Sequence, residues 1–393
     1  MRVLYANHTA LVSGSERSLL SLLAALPSSV QPRVATPPGP LARAAAELGI
    51  PVTSITSTAG SLRVHPRHTA RAVAEMSLAA LQLRRAVREH RADLVHANSI
   101  RAGIELGIAR VAPAAGLVYV RDCLPPGALT TATMRLIGHS ATVVVANSHY
   151  TARSVRRPCP SARLEVVHPA VDMTRFDPAR IGRGAARARL GPAGEGRVLM
   201  GVVAQLSPWK GQDTAIEALR LLRAQGIDAH LLLIGSAKFV NRSTRFDNEG
   251  YVAGMRRLIT AGGLEDHVSW LGERDDIPEL MRALDVLLLP SREEPFSRTL
   301  IEAMALEVPV LATNVGGPPE IITDGREGYL LPPGEAGAWA QAARRIGEHP
   351  GRAREMGRAG RLRVRQAFAI GDHVAAMLDV YGRAVARTRV RSR

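Results

Sequence analysis

The sequence is poor in several residue types, and each shortage excludes a class of protein. Two cysteines, Cys123 and Cys159, cannot build a disulfide framework. No apolar run approaches the ~18 residues that a membrane-spanning helix needs. Aromatic residues make up 4% of the chain, so stacking platforms for nucleic acid are not expected. GxGxxG, P-loop, nucleophile-elbow and metal-ligand spacings are also missing, so we expect no bound metal, no cofactor and no nucleic-acid partner.

Lysine is scarce as well, although the chain is strongly basic. Only Lys210 and Lys238 occur among 51 basic residues, and the net charge is +16. Residues 1–180 contain 21 arginines against 10 acidic residues, a net charge of +11. A basic half attracts phosphates, acidic polymers or an anionic membrane surface. Genomic base composition is the alternative explanation of the arginine content.

The amino-terminal residues favour a cytoplasmic protein. Met1 and Arg2 lead directly into a strand-like VLYA run. Residues 18–26 are as apolar as a signal-peptide core, but the polar stretch that precedes them contains Glu16. We expect a cytoplasmic location, with peripheral contact at the inner membrane face left open.

Short Val- and Leu-rich runs alternate with helical periods along most of the chain. Strands 25–45 residues apart with helices between them predict parallel sheets built from βαβ units, hence an α/β fold. The predicted strands are 3–6, 52–55, 94–97, 117–120, 142–146, 164–167, 198–204, 229–234, 268–271, 286–289 and 308–312. The predicted helices are 16–26, 67–90, 213–224, 251–261, 277–284 and one that begins near Arg298.

One Gly-, Pro- and Arg-rich segment, 176–197, interrupts the alternation and predicts a link between two doubly wound domains. The expected domains are 1–180 and 181–368, followed by a helix over 369–393. Residues 335–393 are expected to be helical throughout. Since doubly wound sheets bind ligands at the carboxyl ends of their strands, a cleft between the two domains is the expected site.

The most informative stretch is LLLPSREEPFSRTLIEAMALEVPVLA, residues 287–312. A strand ends at Pro290, and Ser297 is the predicted N-cap of a helix that contains Glu302. A helix start attracts phosphate or diphosphate, and a carboxylate accepts hydrogen bonds from ribose hydroxyls. If residues 294–302 were helical, Glu294 and Glu302 would lie ~12 Å apart along the axis, too far for a glycosidase pair. The alternative is that both are solvated helix-end charges.

Three glycine-containing loops also follow predicted strands. Lys210 precedes Gly211 and the next helix, and a compact ammonium is a phosphate binder. Gly14 lies between the first strand and the first helix. Gly316 and Gly317 allow close approach of a ligand or a positive φ. The alternatives are an exposed loop lysine and ordinary turn glycines.

Three further side chains lie at or near predicted strand ends in the first half. These are His96, Arg121 and Asn147. They are candidates for acceptor or sugar contact, although a buried core histidine is the more common role for a residue such as His96.

The order and spacing of these motifs resemble those of the retaining GT-B glycosyltransferases of family 4. The match covers nearly the whole chain and is strongest after residue 198. The matching motifs are Glu294 and Glu302-Ala303-Met304, Lys210-Gly211, Gly316-Gly317-Pro318 with Glu320, DGREGYLLPPGE, Gly14 with SERSL, VVANSHYT and VDMTRFDP.

This resemblance implies two Rossmann-like domains that face a cleft, with a final helix that returns to the first domain. It implies a nucleoside-diphosphate sugar as donor and co-substrate, with no metal required. Glu302 would hold the ribose, Lys210 the diphosphate and Glu294 the transferred sugar, so Lys210 and Glu294 are the expected catalytic residues. The other expected donor-binding residues are Gly14, Gln205, Phe296, Ser297 and Thr299.

Two positions depart from the family pattern. Gln205 stands where the family usually has Arg, and Arg121 stands where it often has His. The glutamine removes one positive charge that would face the phosphates. The arginine replaces a residue that commonly contacts the donor sugar, so the identity of that sugar is not determined. A non-catalytic nucleotide-sugar-binding or scaffold protein, or a nucleotide-sugar epimerase on the same fold, therefore stays as an alternative.

Overall fold

A computed structural model describes residues 1–58, 66–194, 196–238 and 246–391. The chain divides into two compact units. The first comprises Met1–Ala170 and Ile370–Arg393, and the second comprises Val171–Ala369.

The elements alternate between strand and helix along both units. The strands are β1 (Arg2–Ala6), β2 (Gln31–Thr36), β3 (Val52–Ser54), β4 (Leu94–Ala97), β5 (Ala115–Val120), β6 (Val143–Ala146), β7 (Leu164–Val166), β8 (Val198–Val203), β9 (Ala229–Ile234), β10 (Val268–Gly272), β11 (Val286–Leu289), β12 (Val310–Thr313) and β13 (Gly328–Leu331). The helices are α1 (Gly14–Ala24), α2 (Pro40–Glu47), α3 (Pro66–His90), α4 (Ile100–Ala109), α5 (Ala128–Ser140), α6 (His149–Arg156), α7 (Arg183–Ala188), α8 (Gln212–Ala224), α9 (Asn248–Ala261), α10 (Ile277–Ala283), α11 (Arg298–Ala305), α12 (Pro318–Ile321), α13 (Ala336–Glu348), α14 (Pro350–Ala367) and α15 (Ile370–Arg391).

The first unit is built on a seven-stranded parallel sheet of order β3-β2-β1-β4-β5-β6-β7. Every residue of β4, β5 and β6 is buried, as expected when helices cover both faces of a parallel sheet. Helix α15 packs against β4 and β5, where Tyr381 and Met377 are fully buried. The strand order reverses between β1 and β4, so the carboxyl ends of these two strands form a topological switch point.

The second unit contains a six-stranded parallel sheet of order β10-β9-β8-β11-β12-β13. Its switch point lies between β8 and β11. Leucines of β9 and β11 fill the core on both faces, and the buried Trp339 donates its indole N–H to the carbonyl of Pro332 at 2.8 Å.

Two strands of these sheets were not predicted from the sequence. In β2, QPRVAT, only the last three residues are buried, and Pro32 and Arg33 weaken the strand pattern. In β13, GYLL, three of the four residues are half-buried. β2 therefore begins with three residues that are not typical of a buried strand, and β13 is an edge strand of which only Gly328 is buried.

The segment 176–197, which was predicted to link the two domains, belongs to the second unit. It contains α7, where Arg183 and Arg187 form ion pairs with Asp285 of the same unit. The chain instead passes between the units at Ala170–Val171, ahead of the expected boundary at 180, and again at Ala369–Ile370. Two arginines of this segment, Arg183 and Arg187, therefore take part in the packing of the second unit.

The described part of the carboxyl-terminal region is helical, as predicted, and it divides into three helices. Pro350 occupies the first turn of α14, where its missing N–H costs nothing, and His349 separates α13 from α14. Phe368 and Ala369 separate α14 from α15. No described helix combines the length and the apolar character needed to cross a bilayer.

Candidate functional site

Two loops meet where β8 and β11 end in the second unit. The turn Pro208–Lys210 follows β8 and ends at Gly211, whose φ is +68°. A Cβ atom at Gly211 would lie 2.0 Å from the carbonyl oxygen of Pro290. Only glycine therefore allows the lysine turn to lie against the end of β11.

The ammonium of Lys210 pairs with the carboxylate of Glu294. Nζ lies 2.6 Å from Oε2, and the two side chains are 18% and 6% exposed. The hydroxyl of Ser291 donates to the same oxygen at 3.0 Å. Lys210 Nζ also lies 4.7 Å from the ring centroid of Trp209. The Lys210 ammonium is thus fixed in position and largely dehydrated beside the Glu294 carboxylate.

The glycine pair after β12 fastens the loop that carries Glu294. Gly316 forms a parallel bridge with Glu294, and Gly317 donates its N–H to the Glu294 carbonyl at 2.7 Å. At Gly316 φ is +102°, and an added Cβ would lie 2.0 Å from the Glu294 carbonyl oxygen. The close approach expected at these glycines is therefore made to the protein backbone, and it fixes the position of Glu294.

Helix α11 begins directly after this loop. Ser297 is its N-cap, as predicted, and accepts from the Leu300 N–H at 3.4 Å. The Ser297 and Thr299 hydroxyl oxygens lie 3.1 Å apart. Phe296 is buried and packs edge-on against Phe368 at 5.9 Å.

Glu302 lies one turn into α11 and is almost buried. Its Oε1 accepts from Arg298 at 2.9 Å, in an i,i+4 pair whose side chains are 19% and 12% exposed. Glu294 and Glu302 therefore have different cationic partners, and Glu294 lies in the loop before the helix.

Gln205 lies just beyond β8. Its amide donates to the Lys238 carbonyl at 3.3 Å, and its own carbonyl accepts from the Gln212 side chain at 2.9 Å. The side chain thus ties the end of β8 to the segment after β9. Because β8, β11 and β12 run parallel, Gln205, Lys210, Glu294 and the start of α11 all follow strand ends at the same edge of the sheet.

In the first unit, Gly14 is the first residue of α1 and not part of the preceding loop. Ser13 and Glu16 form a capping box, with the Ser13 N–H donating to Glu16 at 3.0 Å. An added Cβ at Gly14 would meet nothing within 4 Å. Packing against the described residues therefore does not require a glycine at this position.

A chain of buried amides crosses the switch point of the first sheet. Arg121 donates to Asn98 at 3.0 Å, Asn98 donates to Asn7 at 3.0 Å, and Asn147 donates to the Arg121 carbonyl at 3.1 Å. The Arg121 guanidinium also lies 3.9 Å above the ring of Tyr119. Asn7 and Asn98 were not identified from the sequence, although each directly follows a buried strand in the same way as Arg121 and Asn147.

His96, a candidate for acceptor or sugar contact near a strand end, lies within β4 and not beyond its end. It is fully buried, and its Nδ1 lies 2.7 Å from the Tyr381 hydroxyl. Burial, followed by the charges of Arg121 and His373, lowers its pKa well below the usual value. His96 is therefore a neutral core histidine, because side chains within β4 are covered by α15.

A second cluster of polar side chains in the first unit was also not predicted from the sequence. The Thr58 hydroxyl lies 2.5 Å from Oε1 of Glu105 on α4, and burial raises the pKa of Glu105 to about 7. His8 Nδ1 lies 3.0 Å from the Ser99 hydroxyl, and burial together with the nearby Arg101 lowers the His8 pKa to about 4. A single acid in the apolar run IRAGIELGIA was the available signal for Glu105.

Comparisons with known proteins agree on one family. Residues 12–175 match the model described as Glycosyltransferase Family 4, and residues 188–363 match the model described as Glycosyl transferases group 1. Among curated relatives, a D-inositol 3-phosphate glycosyltransferase of Streptomyces avermitilis is 31% identical over 69% of this chain and 58% of its own length. One of the same name from Mycolicibacterium gilvum is 33% identical over 65% of this chain and 56% of its own length. The chain therefore spans little more than half the length of these relatives.

Solved structures agree on the fold. Anabaena HepE in complex with UDP-glucose superimposes with a TM-score of 0.81 at 24% identity, over 97% of this chain and all of that one. The sucrose-phosphate synthase of Thermosynechococcus elongatus superimposes with a TM-score of 0.79 at 22% identity, over 98% and 99% of the two chains.

Proposed function

Because this chain belongs to the family 4 glycosyltransferases, we propose that it transfers a sugar from a nucleoside-diphosphate sugar to an acceptor hydroxyl. The observation that carries the proposal is the 2.6 Å contact between Lys210 and Glu294 at the strand ends of the second unit. A dehydrated cation next to a carboxylate supplies one group for a diphosphate and one for sugar hydroxyls.

The donor would bind across the loops that follow β8 and β11. The Lys210 ammonium would bind the diphosphate in addition to Glu294. The start of α11 would add free N–H groups and a favourable helix dipole. Glu302 would accept the ribose hydroxyls with the carboxylate oxygen that Arg298 does not use. Gln205, Phe296, Ser297 and Thr299 would line the same site, and Gly14 would leave room above the start of α1.

Transfer would proceed with retention and without a metal. The bond between the anomeric carbon and the diphosphate oxygen breaks, and its electron pair stays on the diphosphate. The acceptor oxygen forms the new bond on the same face through an oxocarbenium-like state, and its proton passes to the departing phosphate oxygen. Lys210 would stabilise the charge that develops on the diphosphate, which is the largest contribution expected of the protein.

The acceptor is proposed to be acidic. The first half carries a net charge of +11, and its buried chain of amides includes Arg121 and Asn147. The curated relatives are named for an inositol phosphate, an acidic polyol. We therefore propose a phosphorylated polyol as acceptor, either free or as the head group of a lipid at an anionic membrane surface.

The test is a turnover assay with UDP- and GDP-sugars, using D-inositol 3-phosphate or anionic vesicles that contain phosphoinositide as acceptor. Release of nucleoside diphosphate that depends on acceptor, unchanged by EDTA, is expected. An α-linked product from an α-linked donor, seen by NMR, would establish retention. No release from any donor, with no donor binding by the folded protein, would favour a non-catalytic scaffold.

A further inference from the structure

A cavity of about 550 Å³ opens in the second unit at the amino ends of its central strands. Its wall includes Val198, the first residue of β8, and the residues directly before β9, β11 and β12, which are Asp228, Asp285 and Pro309. We call it the amino-edge cavity. The proposed donor site follows the other ends of β8 and β11. The six residues of β8 alone rise ~20 Å, so the two sites are distinct.

The wall of the amino-edge cavity is rich in guanidinium groups. Among the residues that the structure describes there, six arginines line it against four acidic residues, and the arginines are Arg183, Arg187, Arg197, Arg282, Arg344 and Arg354. Burial, with opposing charges from Arg183 and Arg361, lowers the pKa of Arg282 despite the nearby Glu307. Guanidinium groups therefore lie close enough together in this cavity to repel one another.

Asp285 holds two of these arginines in place. It pairs with Arg183 and, at 3.1 Å, with Arg187, and it accepts the Leu199 N–H at 2.8 Å. The Arg187 side chain also donates to the carbonyls of Gly194 and Arg197. Asp285 is therefore fully occupied as a structural anchor and does not neutralise the rest of the cavity.

Two guanidinium groups of the cavity keep unused donors in the described part of the chain. The Nε atom of Arg183 is buried without a hydrogen-bond partner. The side chain of Arg354 is exposed at the rim and forms neither an ion pair nor a hydrogen bond with any described residue. Arg197 differs, because its Nε atom lies 3.4 Å from Asp228, which also pairs with Arg223 at 2.5 Å. Guanidinium N–H groups without acceptors favour an anion that supplies several oxygens.

We propose that the amino-edge cavity binds a polyphosphate anion. Its volume falls in the range of small-molecule sites, ~300–1,000 Å³, and is ample for three linked phosphates. The planar forks of arginine match phosphate oxygens in bidentate geometry. Inorganic polyphosphate and the triphosphate chain of a nucleotide share this chemistry. This site is separate from the proposed donor site and does not depend on the proposed activity.

The test is calorimetric titration of the full chain with sodium tripolyphosphate at fixed ionic strength. Saturating UDP is present, and the titration is repeated in Lys210→Met, so that the proposed donor site does not contribute. Arg354→Glu should weaken binding about tenfold or more, and Arg344→Gln several-fold. The matched control is Arg365→Glu, an exposed arginine ~16 Å further along α14 with the same change of charge.

The proposal is supported if the wild type binds tripolyphosphate, Arg354→Glu weakens this binding and Arg365→Glu changes the Kd by less than twofold. An absence of binding by the wild type, or equal weakening by both variants, overturns it. A parallel titration with ATP separates the sources: tighter binding of ATP indicates a nucleotide, and equal binding indicates that only the phosphate chain is recognised. Thermal unfolding of each variant verifies that the second unit remains folded.

Discussion

Lys210 and Glu294 are 84 residues apart in the sequence, and their charged atoms lie 2.6 Å apart at the ends of β8 and β11. This contact joins the two loops on either side of the switch point of the second sheet. A partly buried pair of this kind is costly to break from one side, because the remaining charge keeps its desolvation cost without its partner.

Removing the charge of Lys210 alone should therefore cost more stability than removing both charges. We expect Lys210→Met to lower the free energy of unfolding of the second unit by about 2–4 kcal/mol, and Lys210→Met with Glu294→Gln to lower it by about 1 kcal/mol or less. Urea unfolding of the two variants measures both values. Strictly additive losses would show that the two side chains are not coupled.

Glu302→Gln should weaken nucleotide binding without unfolding the protein. The amide oxygen can still accept from Arg298, but ribose hydroxyls lose a charged acceptor, which is worth about 1.5–3 kcal/mol or roughly 10- to 150-fold in Kd. Calorimetry with UDP gives the ratio. The control is Glu217→Gln on α8, another helical Arg–Glu pair, whose side chain is 39% exposed. Equal Kd values for both variants would remove Glu302 from the site.

Gly316→Ala should be far more costly than Gly325→Ala. Both glycines have positive φ, +102° and +76°, but only at Gly316 would the new Cβ lie within 2.0 Å of a backbone oxygen. Strain at Gly325 should cost about 1 kcal/mol, and the clash at Gly316 about 2 kcal/mol more. Denaturant midpoints of the second unit compare the two. Similar midpoints would mean that the loop of Glu294 is not held by this packing.

Glu105 should make the stability of the first unit fall as the pH rises. Burial raises its pKa in the folded state from 4.5 to about 7, so the unfolded chain releases its proton first. The contribution is fully present below pH 4.5 and is lost progressively up to about pH 7, by about 3 kcal/mol in all. Glu105→Gln should remove this slope, whereas the exposed Glu89→Gln should keep it. Parallel slopes for wild type and Glu105→Gln in urea unfolding between pH 5 and 8 would contradict the assignment.

The sequence was sufficient for the strands that are buried on both faces. Leu94–Ala97 and Val286–Leu289 are fully buried and were predicted to the residue, and the second run is apolar throughout. β2 was missed because Gln31, Pro32 and Arg33 make up its first half, and β13 was missed although it is apolar, because it is a short edge strand with three half-buried residues. These two strands form because they pair with neighbouring strands, and the local sequence pattern gives no information about that pairing.

Parts of the candidate site followed from local chemistry. Ser297 was recognised as an N-cap because capping depends on the three residues that follow it. His96 was listed as a candidate contact because it lies near a strand end, but it is fully buried within β4 and contacts the Tyr381 hydroxyl of α15, a distant segment that the local pattern does not reveal. The contact between Lys210 and Glu294, and the amide chain from Asn7 to Arg121, join distant segments that no local spacing connects.

The most direct test of the donor site is the Kd of UDP for the wild type and for the paired variant Lys210→Met with Glu294→Gln, measured by calorimetry. The paired variant leaves no uncompensated charge, so a change in Kd reports the loss of the phosphate-facing cation. We predict measurable binding by the wild type and a loss of at least tenfold in the variant. Equal affinities, or no binding of UDP or GDP by the folded wild type, would contradict the account.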